Sequence, residues 1–199
     1  CALPISLVSD MTALEKSFPF APRMRETDQD SLYHAEGDVW THTRMVMDEV
    51  VRGGSPDDVM RLTALLHDCA KPETTVREWC DTENRERIRQ PNHARKGADK
   101  AWRLMIDSGL PVLTARKVCD LIAWHQRPSH VLEQHREPED IDSRIGSWSV
   151  TGHGWEDLLN FCRYDNRGRI SPGTEDAIAG LDLLQEEIEN LSDRLGKDL

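Results

Sequence analysis

The stretch LTALLHDCAKPETT (residues 62–75) decides how this chain is read. An apolar run at helical spacing, Val59, Leu62, Leu65 and Leu66, stops at His67-Asp68, and Lys71-Pro72 follows at once. Pro72 limits how far a helix can continue, because a proline pushes the residue before it out of the α region. Upstream, Ser55-Pro56-Asp57-Asp58 is a start signal: a capping residue, proline at the first helical position, then acids in the first turn. A short buried helix therefore delivers an imidazole and a carboxylate where its apolar anchor ends. Neighbouring side chains on a helix diverge by about 100°, so both reach one ion only at its flank, with partners from other helices.

Outward from this stretch the pattern stays helical. Asp38 is placed to cap a helix through VWTHTRMVMDEVV, with Val39, Met45, Val46 and Val50 as its stripe and Gly53-Gly54 as its stop. Residues 74–90 alternate Thr, Val and charge around DTEN, which predicts a short β-hairpin or a long loop. Asn92 is placed to cap HARKGADKAWRLMIDSG, closed by Gly109. The next helix sets Leu113, Val118, Leu121, Ile122 and His125 at helical spacing and stops before Pro128. Residues 130–140 read as loop, and helices are expected over 140–150 and 154–166. Over 174–195 an apolar face of Ile178, Leu181, Leu184, Ile188, Leu191 and Leu195 suits a core rather than a dimer seam. The first 30 residues, with Pro4, Pro19 and Pro22, read as an irregular or short-helical lead-in. Residues 1–199 thus form one all-α domain of about seven helices, with one possible short hairpin.

Composition narrows the function classes. The 199 residues carry 25 Lys+Arg against 36 Asp+Glu, a net charge of −11, which argues against broad binding to a phosphate backbone. A small basic pocket for one phosphate or a nucleic-acid end is still compatible. Cys1, Cys69, Cys80, Cys119 and Cys162 are widely spaced with no C-x-x-C, as expected of reduced, mostly packed thiols in a cytoplasmic protein. No run approaches the ~20 apolar residues of a membrane span. The first residue is Cys rather than Met, as in a trimmed chain or a module cut from a longer protein.

Histidine placement is uneven. His42 lies in the first strong helix; His67-Asp68, His93, His125 and Asp165 all fall at expected helix ends. A bundle whose helix ends converge can gather such groups into one pocket, and imidazoles with carboxylates suit divalent first-row metals. The separations are not those of a short local motif, so buried, hydrogen-bonded core histidines and a metal site are both open on spacing alone. The six tryptophans read mostly as core.

Five segments in order, HAEGDVWTHT (34–43), LLHDCAKP (65–72), NHARKGA (92–98), WHQRP (124–128) and DNRGR (165–169), resemble the HD-domain phosphohydrolase superfamily. The likeness is strongest to the HD modules of bacterial tRNA nucleotidyltransferases and of RNA-repair polynucleotide kinases. It implies an HD-domain helical bundle in which His42, His67, Asp68 and Asp165 hold a divalent metal (Mn, Ni, Co, Fe or Zn). It further implies that His93 and His125 line the pocket or hold a second ion, and that Lys71 meets a phosphate oxygen. Asp68 would bridge ions or orient water, and His93 or His125 would protonate the leaving group. Asn92 stands where such modules often have Gly, and DTENRERIRQP is a longer insertion than usual; both bear on the pocket rim.

The resemblance implies metal-assisted hydrolysis of a phosphoester. The leading expectation is a 2′,3′-cyclic phosphodiesterase or 2′-phosphatase acting on RNA 3′ ends, with a fused or associated polynucleotide kinase or nucleotidyltransferase. The alternatives are a phosphohydrolase of mononucleotides and a non-catalytic, metal-holding RNA- or tRNA-binding module. His34, Arg95, Arg127, Arg167 and Arg169 are candidate substrate contacts, whereas Glu36 and Asp38 read as structural and His130, His135 and His153 as surface residues.

Overall fold

The computed structural model describes residues 18–54, 58–129 and 155–195. The helix expected over 140–150, the residues Ser55-Pro56-Asp57, and His130, His135 and His153 lie outside them. Eight helical segments and one hairpin are present among the described residues: α1 (Ala21–Arg25), α2 (Val39–Arg52), α3 (Asp58–Leu66), α4 (Lys71–Thr74), β1 (Val76–Cys80), β2 (Arg85–Arg89), α5 (His93–Asp107), α6 (Val112–Trp124), α7 (Trp155–Arg167) and α8 (Thr174–Leu195). The chain is an all-α bundle with a short β-hairpin, as expected.

Asp38 caps α2 in full: Oδ1 accepts from Thr41 N at 2.9 Å and Oδ2 from Thr41 Oγ1 at 2.7 Å. The buried face of α2 is Val39, Trp40, His42, Thr43, Val46, Met47 and Val50. Met47 thus replaces the expected Met45, because the stripe runs one position wider on that side. Helix α3 buries Met60, Leu62, Thr63, Ala64, Leu65 and Leu66, so it is apolar nearly all round and sits at the centre against α2, α6 and α7. Full burial of each such side chain stabilises the fold by roughly 1.5–3 kcal/mol.

Helices α5 and α6 pack as an antiparallel pair joined through Gly109, whose φ of +78° favours glycine. Leu113 is 76% exposed rather than part of the α6 stripe, since it lies in the first turn, before the helix meets the core. Helices α7 and α8 close a second apolar cluster around Leu158, Leu159, Leu181, Leu184 and Ile188. Strands β1 and β2 pair antiparallel, Val76 opposite Arg89 and Cys80 opposite Arg85.

The tryptophans depart from expectation. Trp40 is buried, but Trp79 on the hairpin is 62% exposed and Trp102 on α5 is 38% exposed. Cys69 and Cys162 are buried free thiols that burial pushes up, Cys69 to about 12.

Candidate metal centre

Helix termini converge on one side of α3. His42 sits in the first turn of α2, His67 and Asp68 follow the last residue of α3, His93 opens α5, His125 follows α6 and Asp165 lies in the last turn of α7. All six are buried. Glycines permit the approach of these ends. A Cβ at Gly168 would stand 2.6 Å from Val46 N, and one at Gly97 would stand 3.2 Å from the His67 carbonyl oxygen.

The ligand-type atoms form two adjoining groups, His42 with His67 and Asp165, and Asp68 with His93 and His125. Asp68 lies between them. Its Oδ2 is 3.1 Å from His67 Nε2 and 3.8 Å from His42 Nε2, while its Oδ1 is 3.3 Å from His93 Nε2. Asp165 Oδ1 is 2.9 Å from His42 Nε2 and 3.8 Å from His67 Nε2. Ligands bonded at ~2.1 Å to one ion lie roughly 3.0–3.4 Å apart; the His67–Asp68 and His93–Asp68 separations fall in that range and the His42–Asp165 separation lies just below it, whereas the two 3.8 Å separations are wider.

Proton placement shows whether such an ion fits. His42 Nδ1 faces the Gly168 carbonyl at 3.0 Å, His67 Nδ1 that of Ala64 at 2.9 Å, His93 Nδ1 that of Gln90 at 2.7 Å and His125 Nδ1 that of Ile122 at 2.7 Å. A carbonyl oxygen only accepts, so each Nδ1 carries the proton. In His67, His93 and His125 each Nε2 then turns a lone pair inward, whereas His42 Nε2 meets Asp165 Oδ1 at 2.9 Å. His93 Nε2 and His125 Nε2 stand 3.4 Å apart, two lone pairs with no proton between them. His67 Nε2 and both Asp68 oxygens are buried without a well-formed hydrogen bond. Lys71 Nζ is 2.8 Å from Asp68 Oδ2, but at angles outside hydrogen-bond geometry. Buried acceptors facing one another without donors are costly unless a cation joins them. The residues present fit a divalent metal.

The charges agree with that reading. Burial would raise the Asp68 and Asp165 carboxyls, yet both are held well below the usual range, Asp68 by His67 and Lys71 and Asp165 by Arg169 and His42. Burial pushes His93 down to about 3 and His125 to about 4. Neutral imidazoles with committed Nδ1 protons suit ligation.

Beside the centre lies an inner chamber of about 190 Å³, lined by His34, Lys71, His93, His125 and Asp165 among others. Arg169 lines it too and donates to Asp165 Oδ2 at 2.8 Å. Lys71 is more constrained than expected: besides Asp68 it meets Gln29 Oε1 at 2.6 Å. A larger outer cleft of about 930 Å³ adjoins, with His34, Lys71 and His93 lining both. Arg95 and Arg127 line the cleft. Arg167 lines neither chamber and is exposed.

Glu36 is a site residue that sequence reasoning left as structural. Its Oε1 meets His34 Nδ1 at 2.7 Å and His42 Nδ1 at 3.1 Å, and Oε2 accepts from Ile170 N at 2.9 Å. Burial would raise this carboxyl, but those bonds hold it far below its ordinary value. No local signal marks it, since its partners arrive from α2 and from the end of α7. At Asn92, φ is +59° and its side chain makes no capping bond. The expected side-chain cap is therefore absent. The position demands a left-handed residue, and Asn tolerates this better than most non-glycines.

Residues 39–146 match the HD domain. The chain belongs to the HD-domain family. It is also 32% identical over 172 residues to the "Multifunctional CCA protein" of Methylococcus capsulatus (strain ATCC 33009 / NCIMB 11132 / Bath), an alignment covering 80% of this chain and 36% of that protein. The chain thus spans about a third of that relative's length. Members of the HD family bind divalent metals, and the His/Asp groups of this HD domain could hold one. No helix among the described residues is long and apolar enough to cross a membrane.

Proposed function

We propose that this HD domain is a divalent-metal-dependent phosphoesterase of RNA ends, hydrolysing a 2′,3′-cyclic phosphate or a 2′-phosphate. The supporting observation is the set of inward Nε2 lone pairs on His67, His93 and His125 and of Asp68 oxygens without a well-formed hydrogen bond, beside a chamber that also presents Lys71 and Arg169. His42, His67, Asp68 and Asp165 would hold one ion, and Asp68, His93 and His125 offer a second position. A divalent ion there supplies hydroxide near neutral pH and screens phosphoryl charge. The chain does the rest. Lys71 and Arg169 present cations where negative charge spreads over the phosphoryl oxygens. The Nδ1–carbonyl bonds hold each imidazole in the productive tautomer. Phe161 sits edge-on to His67, at 5.5 Å between ring centroids, and to His125 at 6.2 Å, an apolar backing for both imidazoles.

The relative's printed name and the ordered RNA-end motifs favour a nucleic-acid end; the net charge of −11 favours the runner-up, a mononucleotide phosphohydrolase. As a domain one-third the length of that relative, the chain would work beside a fused or associated kinase or nucleotidyltransferase. One assay decides. Protein loaded with Mn²⁺, Ni²⁺ or Co²⁺ is offered RNA ending in a 2′,3′-cyclic phosphate, a 2′,3′-cyclic mononucleotide, a 2′-nucleotide and a 5′-nucleotide. Turnover of the cyclic and 2′ substrates is expected; release only from the 5′-nucleotide defeats the reading. Turnover of nothing would instead support a metal-holding accessory module.

A further inference from the structure

The outer cleft carries a charge opposite to that of the chain as a whole. Its walls carry Lys71, Arg87, Arg89, Arg95 and Arg127 against one acid, Asp30, in a chain of net charge −11. Asp30 is already engaged, since Arg85 Nη1 donates to its two oxygens at 2.9 and 3.0 Å. The hairpin as a whole balances its arginines with acids, yet Glu78, Asp81, Glu83 and Glu86 do not line the cleft. Alternate residues of a strand share a face. Arg87 and Arg89 therefore stand side by side, ~7 Å apart along β2, about one step of an extended nucleotide chain. Their present partners are replaceable. Arg89 meets Glu78 at 2.9 Å with both side chains exposed, and Arg87 lies 3.5 Å from Glu83. The exposed Arg89–Glu78 pair contributes little and yields readily to a phosphate, and the half-buried Arg87–Glu83 contact is a long one. The cleft also offers flat surfaces: Trp124, with the Arg127 guanidinium 5.4 Å from its ring, and the half-exposed Tyr33.

The geometry points to a strand track: Arg87 and Arg89 of the hairpin, with Arg95 and Arg127, take the phosphates of a single-stranded polynucleotide whose end enters the inner chamber. This rests on the RNA-end reading of the metal centre and adds a preference for polymer over mononucleotide. A mononucleotide in the inner chamber reaches Lys71 and Arg169 but leaves the hairpin arginines without a ligand. A strand engages both regions, and base stacking on aromatic side chains is tolerant of sequence.

The test is equilibrium binding, by fluorescence anisotropy, of a labelled RNA octanucleotide to the full chain and to R87A/R89A and R87K/R89K. The alanine pair is expected to weaken binding about tenfold and to reduce the slope of log K against log salt by about 1.4, roughly 0.7 for each lost single-strand phosphate contact. The lysine pair, which keeps the charges, is expected to stay within about threefold of the parent. No binding by the parent chain, no loss in the alanine pair, or equal loss in both pairs would each overturn the track. Turnover separates this from the underlying reading. If neither the cyclic substrates nor the 2′-nucleotide is hydrolysed, the phosphoesterase reading fails while the anisotropy still judges the track. If R87A/R89A loses octanucleotide and cyclic-mononucleotide kcat/KM equally, the track is overturned although the centre stands.

Discussion

Glu36 accepts from the imidazole that most needs orienting. His42 lies between Glu36 and Asp165, and although burial lowers its pKa, hydrogen bonds to the two carboxylates raise it above the ordinary value. A ligating imidazole held by a carboxylate on its far nitrogen is a positioned ligand. Glu36→Gln is expected to lower Mn²⁺ affinity roughly 10–100-fold by calorimetric titration; unchanged affinity would show that the Gly168 carbonyl alone orients His42. The neighbouring histidines give the metal-free protein a distinct acid response. His93 and His125 are pushed down to about 3 and about 4 in the fold, whereas unfolded histidine titrates near 6.5. A folded value below the unfolded one gives stability that is full above about pH 6.5 and is lost as pH falls toward 4. His42, shifted upward, has the opposite sign: its contribution is present below about pH 6.5 and is lost as pH rises through its folded value. Thermal unfolding of metal-free protein should show Tm falling from about pH 6.5 downward; a flat profile there would contradict the buried, neutral state of these rings. His67, Asp68, His93, His125 and Asp165 stood out by their place at expected helix ends, while His42 and the reading of the set as ligands came from the resemblance to HD domains. Glu36 did not stand out, because an acid in a loop resembles solvated surface until α7 brings Ile170 to it.

Helix termini matter more here than helix faces. The last turn of α7 presses against α2 so closely that Gly168 has no room for a methyl group. Gly168→Ala is expected to cost about 1–3 kcal/mol through overpacking against backbone, read as a lower Tm, and to weaken metal binding by moving the carbonyl that orients His42. A variant as stable as the parent would show that this contact is slack. Helix identity was legible from spacing and caps, with Asp38 the clearest case. Which stripe residue meets the core was less so: Met45 and Met47 are both apolar, and only the packing of the neighbouring elements on α2 buries the latter. The hairpin was legible as alternation around DTEN, but the sorting of its charges was not, because register and the position of Asp30 decide which arginines face the cleft.

At the scale of the whole molecule, one candidate ion position draws on α2, the turn after α3, and α7, and the other adds α5 and the end of α6. Anything binding only the folded state stabilises it, by ~2.7 kcal/mol at a hundred times Kd. Saturating Mn²⁺ should therefore raise Tm and EDTA should reverse the rise. Asp68→Ala should abolish both the shift and turnover; a full shift in that variant would place the ion elsewhere. Composition foretold an acidic protein but not the basic outer cleft, since net charge carries no information about where charges fall.

His42 and Asp165, in direct contact at 2.9 Å, are separated by 123 positions in the chain. At a synthesis rate of about 5–20 residues per second, Asp165 is made some 6–25 seconds after His42. Until then the nascent chain holds imidazoles and one carboxylate without the partner that completes the cluster. Capture of an ion by that cluster would therefore be a late event, timed by translation, and a ribosome stalled before Asp165 carries a chain whose His42–Asp165 contact has yet to form.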